Sequence, residues 1–347
     1  MSTPLIVIIA ILVFGFLIFI HEFGHYIFAR IFKVKINEFS IGMGPRLLWF
    51  DSKKTGIRYS ISMLPIGGYV AMAGEDDESD DPHSFDKKPA WQRFIITLAG
   101  AAVNIIFGFL AMIILTSMIN IGSTKVHSFV SEEGVEISSQ ESGLRAGDEI
   151  IEVEGKRVSI ADELAYEIMR NGNEPVDLKV IRDGAEVLLP DVVFPTVEEQ
   201  GQVFGQVDFA VQRIDKNFGR VMSYSWHRST LIVRMCWESI IDLISGRYTL
   251  AAVSGPVGIS SAIGEAAANG FSSLLYIVVV ISINLGVMNL LPIPALDGGR
   301  LITVLFEMIT RKRVPKKIEG IVNGVGLAIL LLLSFVIMIK DVVQLII

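Results

Sequence analysis

The feature that most constrains this chain is a His-Glu-Phe-Gly-His pentapeptide, residues 21–25, at the end of an uncharged stretch that begins at Met1. Histidines four residues apart share one face of a helix, and the glutamate beside them completes a pattern typical of two zinc ligands with a general base. An apolar helix of about 20 residues can cross a bilayer, and ionisable groups inside such a span are functional by default. The combination predicts metal-assisted hydrolysis carried out within a membrane.

The composition favours an integral membrane protein over a soluble enzyme. Of the 347 residues, 51% are hydrophobic, and the mean hydropathy is +0.54, which is high for a soluble globular chain. We expect the first apolar stretch to be retained, because the metal motif extends it and no small-residue cleavage site follows. Long uncharged segments predict four transmembrane helices, at about residues 4–30, 92–122, 272–294 and 320–343.

The charge distribution predicts the topology of these spans. Ten Lys and Arg residues lie between His25 and the uncharged stretch that begins at residue 94, whereas residues 119–271 carry 13 basic against 23 acidic residues, a net charge of −10. The positive-inside rule therefore places residues 26–92 and 298–319 in the cytoplasm and the middle region outside it. We expect a multi-pass protein of the inner (plasma) membrane, with its active site near the cytoplasmic side.

Changes in sequence character divide the chain into four parts. The first contains two spans and, over residues 57–72, an alternating stretch with a Pro-Ile-Gly-Gly break that predicts a β-hairpin. The second has short strands and turn pairs typical of a compact soluble domain. The third combines an amphipathic, charged stretch, typical of an interfacial helix, with a linker, and the fourth holds the last two spans. The predicted boundaries are residues 1–122, 123–205, 206–265 and 266–347.

A zinc ion in an enzyme needs a third protein ligand, and the remaining histidines lie in connecting or extracytoplasmic regions. Asp297 is the candidate, because it is the sole acidic residue near the third span and the topology places it at the depth of His25. Pro292 and Pro294 break the helix there, and non-helical backbone at membrane depth is tolerated where it lines a cavity. An unpaired carboxylate at that depth costs about 2.5–3.5 kcal/mol, and coordination to a dication removes this difficulty.

Structural alternatives exist for each part of this site. His21 and His25 can form a hydrogen-bonded intramembrane pair, and Asp297 can cap a helix just outside the bilayer. On the second span, Gly100 favours helix–helix packing by a small residue, whereas the role of Asn104 stays open.

The stretch at residues 57–72 also has two interpretations. It can be a cytoplasmic turn packed against the helices. Alternatively, its edge, with Gly67 and Gly68 as substrate-binding residues, can pair with an unwound substrate strand through main-chain hydrogen bonds.

His21-Glu22-Phe23-Gly24-His25 together with Leu296-Asp297-Gly298-Gly299 resembles the site-2 protease family of intramembrane zinc metalloproteases, and most closely its bacterial regulator-of-sigma-E type. The resemblance implies that His21, His25 and Asp297 bind Zn²⁺, that Glu22 is the catalytic base, and that Asn289 lies in the substrate-binding position. It covers nearly the whole chain, including the segments 39–45, 65–70, 88–94, 100–104, 143–150 and 254–259.

The segment 143–150 resembles the signature of a PDZ domain in that family's extracytoplasmic insert. We therefore predict an α-helical membrane protein with four transmembrane helices, a membrane-associated β-hairpin and one inserted α+β PDZ-like domain. The implied function is regulated intramembrane proteolysis, in which single-pass membrane proteins such as anti-sigma factors or remnant signal peptides are cleaved within their spans. The implied partners are such a substrate and the lipid bilayer, with no nucleic acid; the oligomeric state stays open.

Two other functions compete with this prediction. The first is a non-enzymatic membrane adaptor whose PDZ-like domain binds peptides and whose metal site is structural. A structural zinc site is closed by four protein ligands, and the sequence offers three good candidates. The second is a transporter with broken helices, which the soluble insert and the absence of paired halves disfavour.

Overall fold

The computed structural model describes residues 2–75, 79–130, 138–199, 202–247 and 253–346. The chain divides into two compact units, one formed by Met1–Ala111 with Cys236–Ile347 and the other by Met112–Met235. The boundaries that the sequence predicts at residues 122, 205 and 265 stay a prediction.

The helices include every long apolar segment that the sequence indicates. Among the described residues, four helices are long and apolar enough to cross a membrane: Pro4–Ile31, Ala90–Met118, Phe271–Asn289 and Lys316–Val343. This confirms a membrane protein with four candidate spans. The full helices are α1 (Thr3–Ile31), α2 (Ala90–Met118), α3 (Ser138–Glu141), α4 (Ala161–Asn171), α5 (Phe218–Ser245), α6 (Pro256–Ala268), α7 (Phe271–Asn289), α8 (Asp297–Thr310) and α9 (Lys316–Ile346), and a 3₁₀ turn covers Phe85–Lys87.

A two-stranded sheet lies between α1 and α2 in the chain, made of β1 (Ile36–Asp51) and β2 (Arg58–Met72). Both strands bend, so that Ser40 of β1 is aligned with Ser60 and also with Tyr69 of β2. The start of β1 therefore lies between the two halves of β2. Among the described strands, the second half of β2 is paired on one side only, which makes it an edge.

The prediction of a hairpin within residues 57–72 is wrong. These residues form one strand, β2, which turns at Gly67 with φ +93° and pairs with the preceding strand β1 instead of with itself. The sequence shows the break at Pro65–Gly68 but not the partner. The partner is the long stretch Ile36–Asp51, which bends at Gly42 and Gly44 with φ of +88° and +85°.

The second unit is an α+β structure built on an antiparallel sheet of order β10-β3-β4-β6-β7, with β5 paired to β4. Its core contains fully buried side chains such as Leu144, Ile150 and Leu178, and α4 adds Leu164 and Ile168. β10 lies beyond residue 205, the predicted end of the inserted domain. The strands are β3 (Ile121–Phe129), β4 (Glu149–Val153), β5 (Lys156–Arg157), β6 (Val176–Arg182), β7 (Ala185–Val192) and β10 (Phe209–Ile214); β8 (Thr196–Glu199) and β9 (Gln202–Gly205) form a separate hairpin.

The amphipathic stretch predicted within residues 206–265 forms the long helix α5. Inside the second unit, α5 is bound to α4 by charged and polar contacts. Tyr224 donates a hydrogen bond to Asp162 at 2.5 Å, and Arg228 forms an ion pair with the same carboxylate at 2.8 Å. One turn further along α4, Glu167 pairs with Arg234 at 2.7 Å. The charges of this helix therefore serve protein contacts as well as solvation.

Candidate active site

Three side chains that the sequence analysis selected from distant positions converge at one point. His21 and His25 are on α1, and Asp297 is the first residue of α8. Asp297 Oδ2 lies 3.1 Å from His21 Nε2 and 3.2 Å from His25 Nε2, and the two Nε2 atoms are 3.3 Å apart. Both imidazoles are buried, while the Asp297 side chain is 23% exposed, so water can reach the site.

The spacing of these three atoms fits a zinc ion. Zinc–nitrogen and zinc–oxygen bonds of about 2.0 Å in a tetrahedron separate neighbouring ligand atoms by about 3.3 Å, which matches the three distances. Asp297 Oδ2 is buried and has no hydrogen bond of acceptable geometry within the described residues, as expected of an atom reserved for a cation. No fourth His, Cys, Asp or Glu joins this group in the described part of the chain, which leaves a tetrahedral position open.

Two glycines allow α1 and α2 to approach closely at the site. A Cβ on Gly24 would lie 2.5 Å from the carbonyl oxygen of Ala99, and one on Gly100 would lie 2.2 Å from His25 Nε2. The sequence analysis favoured a packing role for Gly100, and the surface that it packs against is the imidazole itself. His25 Nδ1 donates a hydrogen bond to the Ile96 carbonyl at 2.8 Å, which fixes the ring and leaves the Nε2 lone pair free.

A tight loop between α7 and α8 positions Asp297 at the site. The loop contains Ala295 with φ +73°, and its backbone packs directly on the start of α8. A Cβ on Gly298 would lie 2.0 Å from the Leu291 carbonyl oxygen, and one on Gly299 would lie 2.6 Å from that of Ile293. The Gly-Gly pair after Asp297 is therefore required by close backbone approach.

His21, His25, Asp297 and Glu22 line one cavity of about 690 Å³. Val70, in the edge half of β2, lines the same cavity as Glu22. Further along, charged side chains line the cavity, and two of them, Arg300 and Glu75, form an ion pair. The other lining residues are Lys35, Asn37, Tyr69, Ala71, Met72, Ala73, Gly74, Ser79 and Thr97.

The predicted substrate-binding residues are not among those that line this cavity. Gly67 is at the bend of β2, and a Cβ on Gly68 would lie 3.2 Å from Glu22 Cγ. Asn289 is the last residue of α7 and is partly exposed. Their binding roles stay a prediction.

Asn104, whose role the sequence leaves open, also lies at the site. The Asn104 amide lies 3.4 Å from His21 Nδ1, and its side chain is fully buried. The spacing along the two helices could have indicated this role. Gly100 and Asn104 are four residues apart on α2, and the histidines that they contact, His25 and His21, are four residues apart on α1.

Comparison with known proteins gives the family. The model of peptidase family M50 matches residues 9–333. The chain belongs to peptidase family M50, the site-2 proteases. A Clostridium acetobutylicum protein whose name describes a zinc metalloprotease is 36% identical over 338 residues, which cover 97% of both chains. A Fusobacterium nucleatum protein named in the same way is 34% identical over 96% of this chain and 98% of its own length. The zinc metalloprotease RasP of Geobacillus kaustophilus is 28% identical over 96% of both.

This M50 protease is thus a zinc metalloprotease with a membrane environment and protein substrates. The resemblance drawn from the two short motifs is confirmed at the level of the family.

Proposed function

We propose that this M50 protease cleaves transmembrane segments of single-pass membrane proteins, with anti-sigma-factor-like proteins or remnant signal peptides as substrates. The observation that carries the proposal is the convergence of His21, His25 and Asp297, within 3.3 Å of one another, beside a cavity that Glu22 also lines. The motif lies inside a helix long and apolar enough to span the membrane. A peptide bond that reaches it must therefore belong to a segment within the bilayer.

The proposed roles follow from the chemistry of the side chains. His21, His25 and Asp297 hold the zinc ion, which when bound polarises a carbonyl and makes water more acidic. Glu22 accepts the proton of the attacking water and then delivers it to the leaving amine.

The substrate must be unwound before it is cleaved, because a helix hides its carbonyl groups in i to i+4 hydrogen bonds. An extended segment can add to the edge half of β2, where main-chain groups offer hydrogen bonds along the cavity. Gly67 and Gly68 would allow close approach to this edge, and Asn289, at the end of α7, would also bind the substrate. Helix-breaking residues near the cleaved bond should therefore accelerate cleavage.

For the second unit we propose a single PDZ-like domain on the extracytoplasmic side, with the active site near the cytoplasmic face of the inner membrane. The acidic excess of residues 119–271 and the nine Lys and Arg residues within 26–92 support this orientation, because the positive-inside rule counts Lys and Arg. In this role the domain acts as a steric filter for substrates that have already been trimmed outside the membrane.

The test uses the purified full chain in detergent micelles, with zinc content and cleavage of a model transmembrane peptide measured side by side. We expect Glu22→Gln to retain zinc and abolish cleavage, because it removes the base and keeps the ligands. We expect Asp297→Ala to lose both, and a chelator to stop wild-type cleavage. Wild-type cleavage by Glu22→Gln would exclude Glu22 as the base.

The same experiment separates the proposal from a membrane adaptor with a structural metal site. An adaptor would retain zinc and leave the peptide intact even as wild type. Cleavage of a soluble, unstructured peptide at the same rate as the transmembrane one would contradict the proposed substrate class.

A further inference from the structure

The two zinc-ligand histidines differ in what fixes the ring nitrogen that faces away from the site. His25 Nδ1 is bound by a main-chain carbonyl, that of Ile96, at 2.8 Å. His21 Nδ1 faces the side-chain amide of Asn104, with the nearest amide atom at 3.4 Å. Asn104 is fully buried, and one of its two amide atoms, Oδ1, has no hydrogen-bond partner in the described residues.

The chemistry of metal binding decides which amide atom must face His21. A neutral imidazole that gives its Nε2 lone pair to a metal carries its proton on Nδ1, so Nδ1 needs an acceptor. The oxygen and nitrogen of an asparagine side chain are nearly identical in shape and exchange places when the amide rotates by half a turn. Asn104 can thus present either group to His21, and the proton on Nδ1 selects the oxygen.

We propose that Asn104 is a positioning residue of the metal site, whose side-chain oxygen accepts the Nδ1 proton of His21 and holds Nε2 toward the zinc. The inference rests on the proposed function, because it takes His21 as a zinc ligand. Both imidazoles would then be held from α2 by an oxygen acceptor. The Ile96 main-chain carbonyl holds His25, and the Asn104 side-chain oxygen holds His21.

Contacts between α2 and α7 hold the backbone of Asn104 in place beside His21. Ser282 of α7 donates a hydrogen bond from Oγ to the Asn104 carbonyl oxygen at 2.8 Å. Two glycines bring α2 and α7 together around this point. A Cβ on Gly286 would lie 2.8 Å from the Ala101 carbonyl oxygen, and one on Gly108 would lie 2.6 Å from Ile283 Cγ1. With the backbone clamped in this way, the side chain has little freedom beyond rotation of its amide.

Two substitutions separate the acceptor role from simple packing. Asn104→Leu keeps the branching of the side chain, with larger methyl groups, and removes the acceptor, whereas Asn104→Asp keeps the shape and offers acceptor atoms only. The readout is the dissociation constant of zinc, measured by competition with a chromophoric chelator on the full chain in micelles. We expect Asn104→Leu to weaken zinc binding by about 10–100-fold, the usual effect of losing an outer partner of a ligand histidine. We expect Asn104→Asp to bind zinc at least as tightly as wild type.

Thr116→Val is the matched control. Thr116 is a fully buried polar residue of the same helix, and its Oγ1 also has no partner in the described part of the chain. It lies 12 residues further along, about 18 Å at the rise of an α-helix. Loss of a buried polar group there should leave the zinc dissociation constant unchanged.

The thermal midpoint of the zinc-free protein provides a second readout. A positioning role predicts that Asn104→Leu changes the zinc-free midpoint little but reduces the upward shift that zinc produces.

Each outcome bears on the idea. Zinc affinity of Asn104→Leu equal to that of wild type overturns the positioning role and leaves the proposed function intact, whereas a wild-type chain without zinc affinity overturns both. Should Asn104→Leu fail to fold, Asn104→Asp alone decides. If Asn104 acted as a donor to His21, Asn104→Asp would bring acceptor atoms against it and zinc binding would weaken tenfold or more.

Discussion

The two units of this protein arrange polar and apolar side chains in opposite ways. In the second unit, side chains such as Leu178 and Ile150 are fully buried and charged residues cover the strands. In the first unit, large apolar side chains such as Leu12 and Leu332 are about two-thirds exposed, at 65% and 64%, while Asn104 and Ser282 are fully buried. The first pattern is that of a protein folded in water, and the second is that of helices surrounded by lipid.

This contrast implies different sources of stability. Burial of apolar area drives folding in water, but it gives no advantage between helices that already lie in hydrocarbon. There, close backbone approach and hydrogen bonds hold the helices, and small residues permit that approach. The glycines of α1, α2 and α8 that pack against backbone or against His25 fit this account. The first unit can accordingly keep a polar, hydrated site in its interior.

The largest expected effect on stability lies in the second unit. Leu178→Ala removes a fully buried side chain from the core and should lower the free energy of unfolding of this unit by about 2–5 kcal/mol. Leu188→Ala, at a position 61% exposed on the neighbouring strand β7, is the control and should change little. Urea unfolding followed by hydrogen exchange of the second unit measures both. Zinc content should be unchanged in both variants. Loss of zinc in Leu178→Ala would show that zinc binding in the first unit depends on the core of the second unit.

In the first unit, the matching experiment adds an atom instead of removing one. Gly100→Ala places a Cβ where the structure has His25 Nε2, 2.2 Å away. The imidazole must move, so we expect zinc affinity to fall by about 10–100-fold, or about 1.4–2.8 kcal/mol. Gly320→Ala on α9 is the control, since a Cβ there meets nothing within 4 Å, and the change should be neutral or slightly stabilising. Equal zinc affinities in the two variants would contradict the close contact between α2 and His25.

The sequence predicts which side chains converge better than it predicts the sheet beside them, for physical reasons. Spacing of four on a helix brings His21 and His25 to one face, and a lone acid beside a helix break marks Asp297, so local rules suffice. The contacts of Gly100 and Asn104 depend on which helix packs on which, and no local pattern of an apolar helix contains that information. The partner of β2 was missed for a related reason, because a bend at Pro65–Gly68 looks the same in a hairpin and in a strand that turns within a larger sheet.

The smallest of the three effects concerns an ion pair in the sheet of the first unit. Arg46 donates two hydrogen bonds of 2.7 Å to the buried Glu38 carboxylate, and Ser60 adds a third. The hydrogen bonds from Arg46 lower the pKa of Glu38 to about 2. Because the pKa is lower in the folded state, the stabilisation is present above the unfolded pKa, about 4.3, and is lost as the pH falls toward 2.

Glu38→Gln should therefore lower the free energy of unfolding by about 1.5 kcal/mol at neutral pH, the lower end for hydrogen bonds to a charged group. Thermal unfolding in micelles at pH values from 6 down to 2.5 measures the difference from wild type, which should narrow as the pH falls. Asp51→Asn is the control, because the Asp51–Arg58 pair is exposed on both sides, and such pairs contribute at most about 1 kcal/mol. If Asp51→Asn cost as much as Glu38→Gln, burial would not be what distinguishes the two pairs, and the sheet would behave like an ordinary solvated surface.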